Sequence, residues 1–469
     1  MKKTIALAAL ICAIASIGTG SPSAASKARK FSPHQEPRGI GNLVAHGDRV
    51  SLVYDAGVKS ATGFAYVRND LRRKFVRLPL APEPGRGPAS TFSARVPARL
   101  IRGHRLRYYA VLRNRKSQRK ARVPARGTSS ALILGQPEIV DLGTHRFGET
   151  RSPDQVVARA RPDQVGWQLP PPGQGPKAGP QSFLVGPDHS VFLHDSFNDR
   201  MLVWNAGDPE RIVRTVPLPD RTADNDVALG PDGSLYVTHG EGVGLDYQLV
   251  LKRLTSTGDT MWTGGLAGDF FGNGQSFVIG ANSSLRTGPD GTLHVLAGMF
   301  GLPGGEFGWM PIATPDGQPV PMGQQHWRTN WPYQPMGGGQ HLLAEVYTAV
   351  PDSAPHEVRV AIVNRRGNVV HAWRVLSQTD INLHDTPDVL RGAPTLVLDA
   401  TEGEGATFKW EYVVLRLVPD GSPMSFSVPH MVFGDNILPD VRLSSTFGGG
   451  VYQLRSNPSF GVQILRYSF

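Results

Sequence analysis

The stretch from Met322 to His341, MGQQHWRTNWPYQPMGGGQH, has the residue types of a ligand-binding loop. Its aromatic and polar candidates are Trp327, Trp331, Tyr333, His326, Arg328 and Asn330. Planar rings beside amide and guanidinium donors suit a carbohydrate or another flat polar ligand, and exposed aromatic residues on a loop indicate binding. The alternative is that the rings pack between neighbouring structural units and fill an internal surface. The sequence leaves both interpretations open.

A second polar stretch, TDINLHDTPD, is dense in groups that could ligate a cation. These groups are Asp380, Asn382, His384, Asp385 and Asp388. Carboxylate, amide and imidazole donors at this density could hold a metal ion. The competing interpretation is a loop in which Asp and Asn side chains hydrogen-bond to their own turns.

Three histidines, His194, His239 and His294, lie at related places in similar sequence segments. Three imidazoles that meet at one point could bind zinc or transfer protons. When the segments are aligned, however, the three differ in register. Because neighbouring strand residues face opposite ways, we do not expect the three to converge.

Hydrolytic nucleophile motifs are missing from the sequence. It contains no Gly-x-Ser-x-Gly elbow, no His-Glu-x-x-His pair and no phosphate-cradling loop. Its single cysteine, Cys12, lies in an N-terminal segment that export would remove. We therefore lean away from an enzyme.

Residues 1–25 have the pattern of a secretory signal peptide: two lysines, an apolar run and small residues for cleavage. Leu10 and Ile11 before Cys12 disfavour a lipid anchor, since a lipoprotein signal needs small residues there. No later stretch reaches the ~18 apolar residues of a membrane span. We expect a secreted, extracytoplasmic bacterial protein and a monomer.

The charge is divided unevenly along the chain. Residues 26–150 contain 25 Lys plus Arg against 8 Asp plus Glu, whereas residues 151–469 contain 22 against 31. Such asymmetry indicates two modules with different surfaces. The basic module suits an anionic partner such as a cell-wall polyanion, while specific nucleic-acid binding is not expected. A solvated strand surface rich in arginine is the alternative.

Residues 38–135 alternate between apolar and polar residues with a period of two, in short runs separated by Gly, Pro and Asn. Tyr108 and Tyr109 should therefore point to opposite faces of one strand. Six or seven such strands in about 100 residues resemble an immunoglobulin-like or fibronectin type III-like β-sandwich. Residues 136–180, rich in Pro and Gly towards their end, are predicted to be a linker that includes a further strand.

Residues 181–469 are repetitive. Gly-Pro-Asp triplets begin at Gly186, Gly230 and Gly288, and each indicates a tight turn between two strands. Asp188, Asp232 and Asp290 are therefore predicted to be turn residues. A second element recurs with its turn glycines at Gly207, Gly258, Gly317, Gly367 and Gly421.

Six units of about 50 residues with four short strands each are typical of a β-propeller. The sixth unit stops at Phe469, where its outer strand should begin. We therefore predict an all-β protein, an N-terminal β-sandwich followed by a six-bladed β-propeller at 181–469. A strand from about 137 to 160 would close the ring, and a complete blade within 137–180 would make seven blades.

The stretch VFLHDSFNDRMLVWN, from Val191 to Asn205, resembles an NHL repeat. Asp195, Asn198 and Arg200 occupy the three polar positions of that pattern. The resemblance implies that they brace the turn between adjacent strands, as short polar side chains do.

The stretch DNDVALGPDGSLYVTH, from Asp224 to His239, resembles the gluconolactonase and senescence-marker lactonase family. Those proteins are six-bladed propellers in which the corresponding asparagine binds a calcium-type ion in the central channel. The resemblance makes Asn225 a candidate calcium ligand, and alignment of the triplets adds Asp224 and Asn282. The family's glutamate ligand and its catalytic aspartate have no evident counterpart here.

Together these patterns favour a secreted binding protein. The propeller face would recognise an extracellular glycan or a protein ligand, and the basic sandwich would tether the protein to an anionic surface. The alternative is a divalent-metal-dependent propeller hydrolase, lactonase or lyase.

Overall fold

The protein is all-β in its computed structural model. The structure describes residues 30–36, 40–83, 90–169, 179–180, 182–219, 222–241, 248–265, 276–279, 285–288, 290–300, 306–321, 334–347, 356–384, 388–404, 407–430, 440–443 and 449–469. Its helical segments there are the short 3-10 turns Ala98–Leu100, Pro162–Gln164 and Ser196–Asn198. No helix among these residues has the length and apolar character needed to cross a membrane.

Ten strands form two sheets at the N-terminus. They are β1 (His34–Gln35), β2 (Leu43–Val44), β3 (Ser51–Asp55), β4 (Ala61–Asn69), β5 (Val76–Pro79), β6 (Ala81–Pro82), β7 (Thr91–Arg95), β8 (Arg105–Asn114), β9 (Lys120–Val123) and β10 (Ser129–Ile133). Sheet 1 has the order β1-β3-β7-β6, and sheet 2 has the order β2-β10-β8-β4-β5 with β9 paired to β8.

Sheets 1 and 2 share one buried core. Leu52 and Phe92 from sheet 1 pack in the same cluster as Leu106 and Tyr108 from sheet 2. Tyr108 is buried and Tyr109 is only partly buried, so the predicted opposite facing of these tyrosines is confirmed. The alternation buries one face of each strand and leaves the other face of sheet 2 open to solvent.

Six further sheets contain the remaining strands. The strands are β11 (Glu138–Asp141), β12 (Gln155–Ala160), β13 (Ser182–Val185), β14 (Val191–Asp195), β15 (Arg200–Trp204), β16 (Ile212–Pro217), β17 (Thr222–Leu229), β18 (Leu235–Glu241), β19 (Gln248–Leu254), β20 (Thr260–Gly265), β21 (Ser276–Ile279), β22 (Leu285–Thr287), β23 (Leu293–Phe300), β24 (Glu306–Ala313), β25 (Gln334–Gly337), β26 (Gln340–Tyr347), β27 (Glu357–Val363), β28 (Val369–Leu376), β29 (Asp380–Leu383), β30 (Asp388–Leu390), β31 (Ala393–Glu402), β32 (Lys409–Arg416), β33 (Met424–Pro429), β34 (Asp440–Leu443), β35 (Val451–Asn457) and β36 (Gly461–Tyr467).

These sheets follow the chain in order. Sheet 3 is β13-β14-β15-β16, sheet 4 is β17-β18-β19-β20, and sheet 5 joins β21 and β22 to β23 and then β24. Sheet 6 is β25-β26-β27-β28 extended by β11, and sheet 7 joins β29 and β30 to β31-β32-β33. Sheet 8 is β34-β35-β36 extended by β12.

Residues 138–160, here called the belt, contact three consecutive sheets. β11 pairs in parallel with β28 of sheet 6, with Glu138 opposite Trp373. The Arg151 amide then donates to the Ser427 carbonyl of sheet 7 at 2.8 Å. β12 finally pairs antiparallel with β36, the last strand of the chain. An early segment therefore supplies an edge strand to two sheets formed by the end of the chain.

The predicted turn roles of the triplet aspartates are confirmed. Asp188 and Asp232 each accept a hydrogen bond from the hydroxyl of the serine two positions later, at 2.5 and 2.6 Å, and Asp290 accepts one from the Thr292 amide at 3.0 Å. Gly233 takes the positive φ of 79° that this turn requires.

Asp195, Asn198 and Arg200 brace one another, as predicted. Asp195 is fully buried and its carboxylate accepts from Asn198 at 2.9 Å and from Arg200 at 2.8 Å. It also accepts from the Gly166 amide at 2.8 Å, which ties residues after the belt to sheet 3.

The N-terminal sheets are docked on sheet 6 through a buried arginine. Arg359 of β27 has no exposed surface, and its guanidinium donates to both carboxylate oxygens of Asp48 at 2.6 and 2.9 Å. It also donates to the Leu43 carbonyl at 2.9 Å and to Glu357 at 2.7 Å. The Tyr347 ring lies under the guanidinium, 3.4 Å from its carbon. A buried cation must be paired and hydrogen-bonded in this way, because its desolvation is otherwise prohibitive.

Glu345 completes the same interface. Its carboxylate accepts the Asn42 amide at 2.8 Å and the Leu43 amide at 2.6 Å. Gly41 is required beside it, since an added Cβ would lie 2.6 Å from a Glu345 oxygen. Burial raises the pKa of Glu345 to about 7, against the lowering effect of these two amides and of Arg359.

We predict that Asp48→Asn destabilises the protein. Removing one partner of a buried ion pair costs about 3–5 kcal/mol, because the remaining charge stays buried. The measurement is the urea midpoint of unfolding. Asp163→Asn is the matched control, since the Asp163–Arg161 pair is exposed on both sides. Equal midpoints for the two variants would contradict this account.

The raised pKa of Glu345 predicts that the contribution of this residue to the free energy of unfolding falls as pH rises. Between pH 4.5 and about 7 the folded carboxyl holds a proton that the unfolded one has released, so folding is favoured at the acidic end of this range. Glu345→Gln cannot titrate, and the difference in unfolding midpoint between wild type and variant should therefore change across this window. A constant difference from pH 4.5 to 7 would refute the assignment.

Candidate functional site

The solvent side of sheet 2, here called the outer face, collects aromatic rings and arginines. Along β4 the outward residues include Phe64, Tyr66 and Arg68, while Ala65 and Val67 between them are buried. β8 alternates in the same way, and its register places Tyr109 opposite Tyr66. Because alternate residues of a strand face the same side of the sheet, aromatic residues and arginines that are separated in sequence form one continuous surface.

The rings on the outer face stack on one another. Tyr66 and Tyr109 are parallel, with centroids 4.7 Å apart and planes 6° apart. Phe75 meets Tyr109 edge-on at 5.1 Å. Such cross-strand pairs stabilise a sheet by roughly 0.2–1 kcal/mol each. They also hold the rings in fixed positions on the outer face.

Arginines lie against these rings. The guanidinium of Arg77 is 3.4 Å from the Phe64 centroid, and that of Arg122 is 4.2 Å from the Tyr109 centroid. Cation–π contacts at exposed sites contribute about 0.5–1 kcal/mol and fix the direction of a long side chain. The arginines are therefore partly preorganised, which lowers the entropic cost of binding an anion.

The charge of the outer face has a single sign. β4, β5, β8 and β9 contain no Asp or Glu. Their cationic residues are Arg68, Arg77, Arg105, Arg107, Arg113, Lys120 and Arg122. One of them, Arg105, donates to the Gly367 carbonyl of sheet 6 at 3.1 Å. The side chains of Arg77, Arg107 and Arg113 are exposed, so this surface can bind carboxylate or sulfate groups.

A second candidate, the histidine cluster, lies on sheet 7 beside the belt. Its members are His384, His430, Asp399, Trp410 and Tyr412. His145 and Glu411 form a separate pair on the other side of sheet 7, because Glu411 lies between Trp410 and Tyr412 on β32. The belt positions His145, whose amide donates to the Thr379 hydroxyl at 2.9 Å. The His145 ring contacts Glu411 at 2.8 Å, and the other Glu411 oxygen accepts the Gly148 amide at 2.7 Å.

The histidine cluster is built around Asp399 on β31. Its Oδ1 lies 3.1 Å from the His384 Nδ1 and accepts the Trp410 indole N–H at 2.9 Å. Trp410 stacks on the His430 ring with centroids 3.7 Å apart. Tyr412 is buried between the two imidazoles, with centroids at 4.6 Å from His384 and 5.1 Å from His430.

Burial keeps His430 neutral. It lowers the pKa of this histidine to about 4, with Asp399 acting in the opposite direction and His384 acting in the same direction as burial. At neutral pH the ring therefore behaves as an aromatic partner of Trp410. Phe408, 49% exposed, lies edge-on to Trp410 with centroids 6.3 Å apart and extends this wall to the surface, whereas Lys409 lies over the Phe147 ring on the other side of β32. A neutral aromatic wall suits the apolar face of a sugar ring.

Residues 322–333 of the first predicted binding loop lie outside the described residues, and with them Trp327, Trp331, Tyr333, His326, Arg328 and Asn330; the rest of the loop, residues 334–341, forms β25 and the start of β26. Asn282 lies outside them too. The backbone of Asp224 and Asn225 belongs to β17, and their side chains are not among those described. The glycan loop and the calcium site therefore stay predictions.

The polar stretch after β28 does not gather around one point within the described residues. Asp380 pairs with His356 at 3.5 Å, and His384 pairs with Asp399. Asp388 is buried and lies 3.6 Å from Arg286 of sheet 5. Asp385 lies outside the residues that the structure describes.

Two members of the histidine trio have local partners. His194 is buried and contacts the Ser182 hydroxyl at 3.3 Å, and His294 lies 3.0 Å from the Thr292 carbonyl. The side chain of His239 is not described.

Sequence reasoning singled out His384 but missed His145, Asp399, Glu411 and His430. Their signal is not local, because the belt and β32 bring together residues separated by 266 positions. Alternation along β32 does place Trp410 and Tyr412 on one side of the strand. Nothing in the sequence indicates that His145 of the belt meets Glu411 on the other side.

No family model and no curated protein sequence matches the chain. Among solved structures, the chain is similar to a eukaryotic initiation factor at 10% identity and a TM-score of 0.26, covering 87% of this chain and 96% of that one. It is similar to the polysaccharide lyase Uly1 at 9% identity and a TM-score of 0.30, covering 78% of this chain and 88% of that one. It is similar to Sqt1 from Chaetomium thermophilum at 13% identity and a TM-score of 0.23, covering 94% of this chain and 97% of that one. Likenesses this weak carry no argument about function.

We predict that His430 titrates near pH 4, well below the ordinary histidine value of 6.5. Proton NMR of the imidazole C–H signals measures this directly. Asp399→Asn should lower the pKa of His430 further, because the nearby carboxylate favours the charged ring. The contribution of His430 to the free energy of unfolding should also rise between pH 4 and 6.5, where the unfolded chain binds the extra proton, opposite in sign to the contribution of Glu345. A midpoint near 6.5 in the wild type would rule out the buried, neutral His430 described here.

Proposed function

We propose that the protein is a secreted binding protein for an acidic polysaccharide. The observation that carries this proposal is the outer face of sheet 2, where stacked rings and exposed arginines share a surface whose strands have no acidic residue. Sugar rings stack on aromatic side chains, and guanidinium groups bind carboxylate or sulfate in a forked geometry. One surface thus offers both interactions that a charged glycan needs.

The proposed architecture is an immunoglobulin-like sandwich followed by a six-bladed propeller. Sheets 1 and 2 with their common core support the sandwich. The order of the six later sheets supports the propeller, and the pairing of β12 with β36 supports closure of a ring by an early strand. The sandwich would tether the protein to an anionic polymer, and the propeller would present the histidine cluster to individual sugars.

A lyase is the second candidate, and the His384–Asp399 pair favours it. Cleavage of a uronate by elimination begins when a base removes the proton next to the carboxyl group. A carboxylate on one imidazole nitrogen orients the ring and raises its basicity. His384 would be that base. A metal-dependent hydrolase or lactonase at Asn225 remains a prediction from the sequence resemblance.

We predict that the mature protein binds polygalacturonate and alginate, but not neutral dextran, in calorimetric titrations at low salt. The affinity should fall as salt is added, because exposed ion pairs are screened. The double variant Arg77→Ala with Arg107→Ala should raise Kd roughly 2- to 30-fold, at about 0.2–1 kcal/mol per lost exposed pair.

The control has the same change in charge. Arg211→Ala with Arg214→Ala removes two exposed arginines from the sheet 3 region and should leave Kd unchanged. Binding that is equally weakened by both pairs would reflect net charge alone and would contradict a specific face. Ultraviolet absorbance from an unsaturated product in the same mixtures, lost in His384→Ala, would establish the lyase instead.

A further inference from the structure

Glu138, His371 and Asp420 form a compact group away from both candidate surfaces. The imidazole and the two carboxylates offer ligand atoms that all lie within 4.8 Å of one another. Glu138 begins the belt on β11, His371 belongs to β28 of sheet 6, and Asp420 lies in the turn between β32 and β33 of sheet 7. Three segments that are distant in sequence therefore meet at this point.

Contacts with Trp373 hold Glu138 and His371 in place. The indole N–H of Trp373 donates to Glu138 Oε2 at 3.0 Å, while Glu138 Oε1 lies 2.6 Å from His371 Nε2. Trp373 is 1% exposed and packs against the His371 ring with centroids 4.2 Å apart. A hydrogen bond to the distal oxygen of a carboxylate is the arrangement that orients ligands in metal sites.

Asp420 differs from the aspartates of the other Pro-Asp turns. Asp188, Asp232 and Asp316 each accept a hydrogen bond from a hydroxyl of their own turn. In the part of the chain that the structure describes, the Asp420 carboxylate accepts none, although φ at this residue is 54° as in a tight turn. An Asp420 carboxylate oxygen instead lies within 4.8 Å of ligand atoms of His371 and Glu138.

We propose that Glu138, His371 and Asp420 bind a zinc ion. One imidazole nitrogen and two carboxylate oxygens are ordinary zinc ligands, and they leave a fourth tetrahedral position for water. The imidazole favours a transition metal over calcium, which prefers a shell of six to eight oxygens. The ion would join the start of the belt to sheets 6 and 7.

The test is a calorimetric titration of zinc chloride into the mature protein after treatment with EDTA and desalting. We expect one zinc per chain and a higher unfolding midpoint, since an ion bound only to the native state stabilises it. His371→Ala and Asp420→Asn should each weaken zinc binding by at least about tenfold, as changes around a ligand alone cost about 10- to 100-fold. Asp420 is exposed, so its variant should fold even if the His371 variant does not.

His356→Ala is the matched control, because His356 is half-exposed and pairs only loosely with Asp380 at 3.5 Å. It should bind zinc as the wild type does. Trp373→Phe should weaken binding while keeping all three ligands, which separates ligand orientation from ligand loss. The proposal is overturned if the wild type binds no stoichiometric zinc, or if both ligand variants bind zinc with unchanged affinity.

Discussion

The path of residues 138–160 constrains the positions of sheets 6, 7 and 8. After the N-terminal sheets, the belt pairs with sheet 6, hydrogen-bonds to sheet 7 and pairs with sheet 8. Those three sheets are formed by the last third of the sequence. The backbone groups at their edges are satisfied by residues made long before them, which couples the two ends of the chain. The belt also places His145 against Glu411 of sheet 7.

The docking of the N-terminal sheets depends on a different kind of contact. Arg359 has no exposed surface, and its charge is met by Asp48 and Glu357, which lie on opposite sides of the junction. An apolar cluster that includes Leu43 and Leu343 surrounds the ion pairs. A buried network of this kind adds little net stability over an apolar core, but it permits only one arrangement of its partners. It therefore fixes the outer face of sheet 2 relative to sheet 6.

Period and turn chemistry made much of the fold predictable. The alternation along β8 predicted that Tyr108 and Tyr109 face opposite ways, and the Pro-Asp turns predicted the roles of Asp188 and Asp232 because these depend on neighbouring residues alone. Contacts between distant segments left no comparable signal. Nothing local marks Arg359 as buried, since a partner 311 positions away makes its burial possible. The stacking of Tyr66 on Tyr109 likewise depends on strand register, which the sequence does not specify.

The central claim is that an acidic polysaccharide lies on the outer face of sheet 2. Hydrogen–deuterium exchange of the mature protein, with and without a purified oligogalacturonate, tests it most directly by locating the bound chain. The account predicts slower exchange in peptides covering residues 61–69 and 105–123, with no change in sheet 3. Protection confined to sheets 3 to 8, with none on β4, β8 or β9, would contradict it.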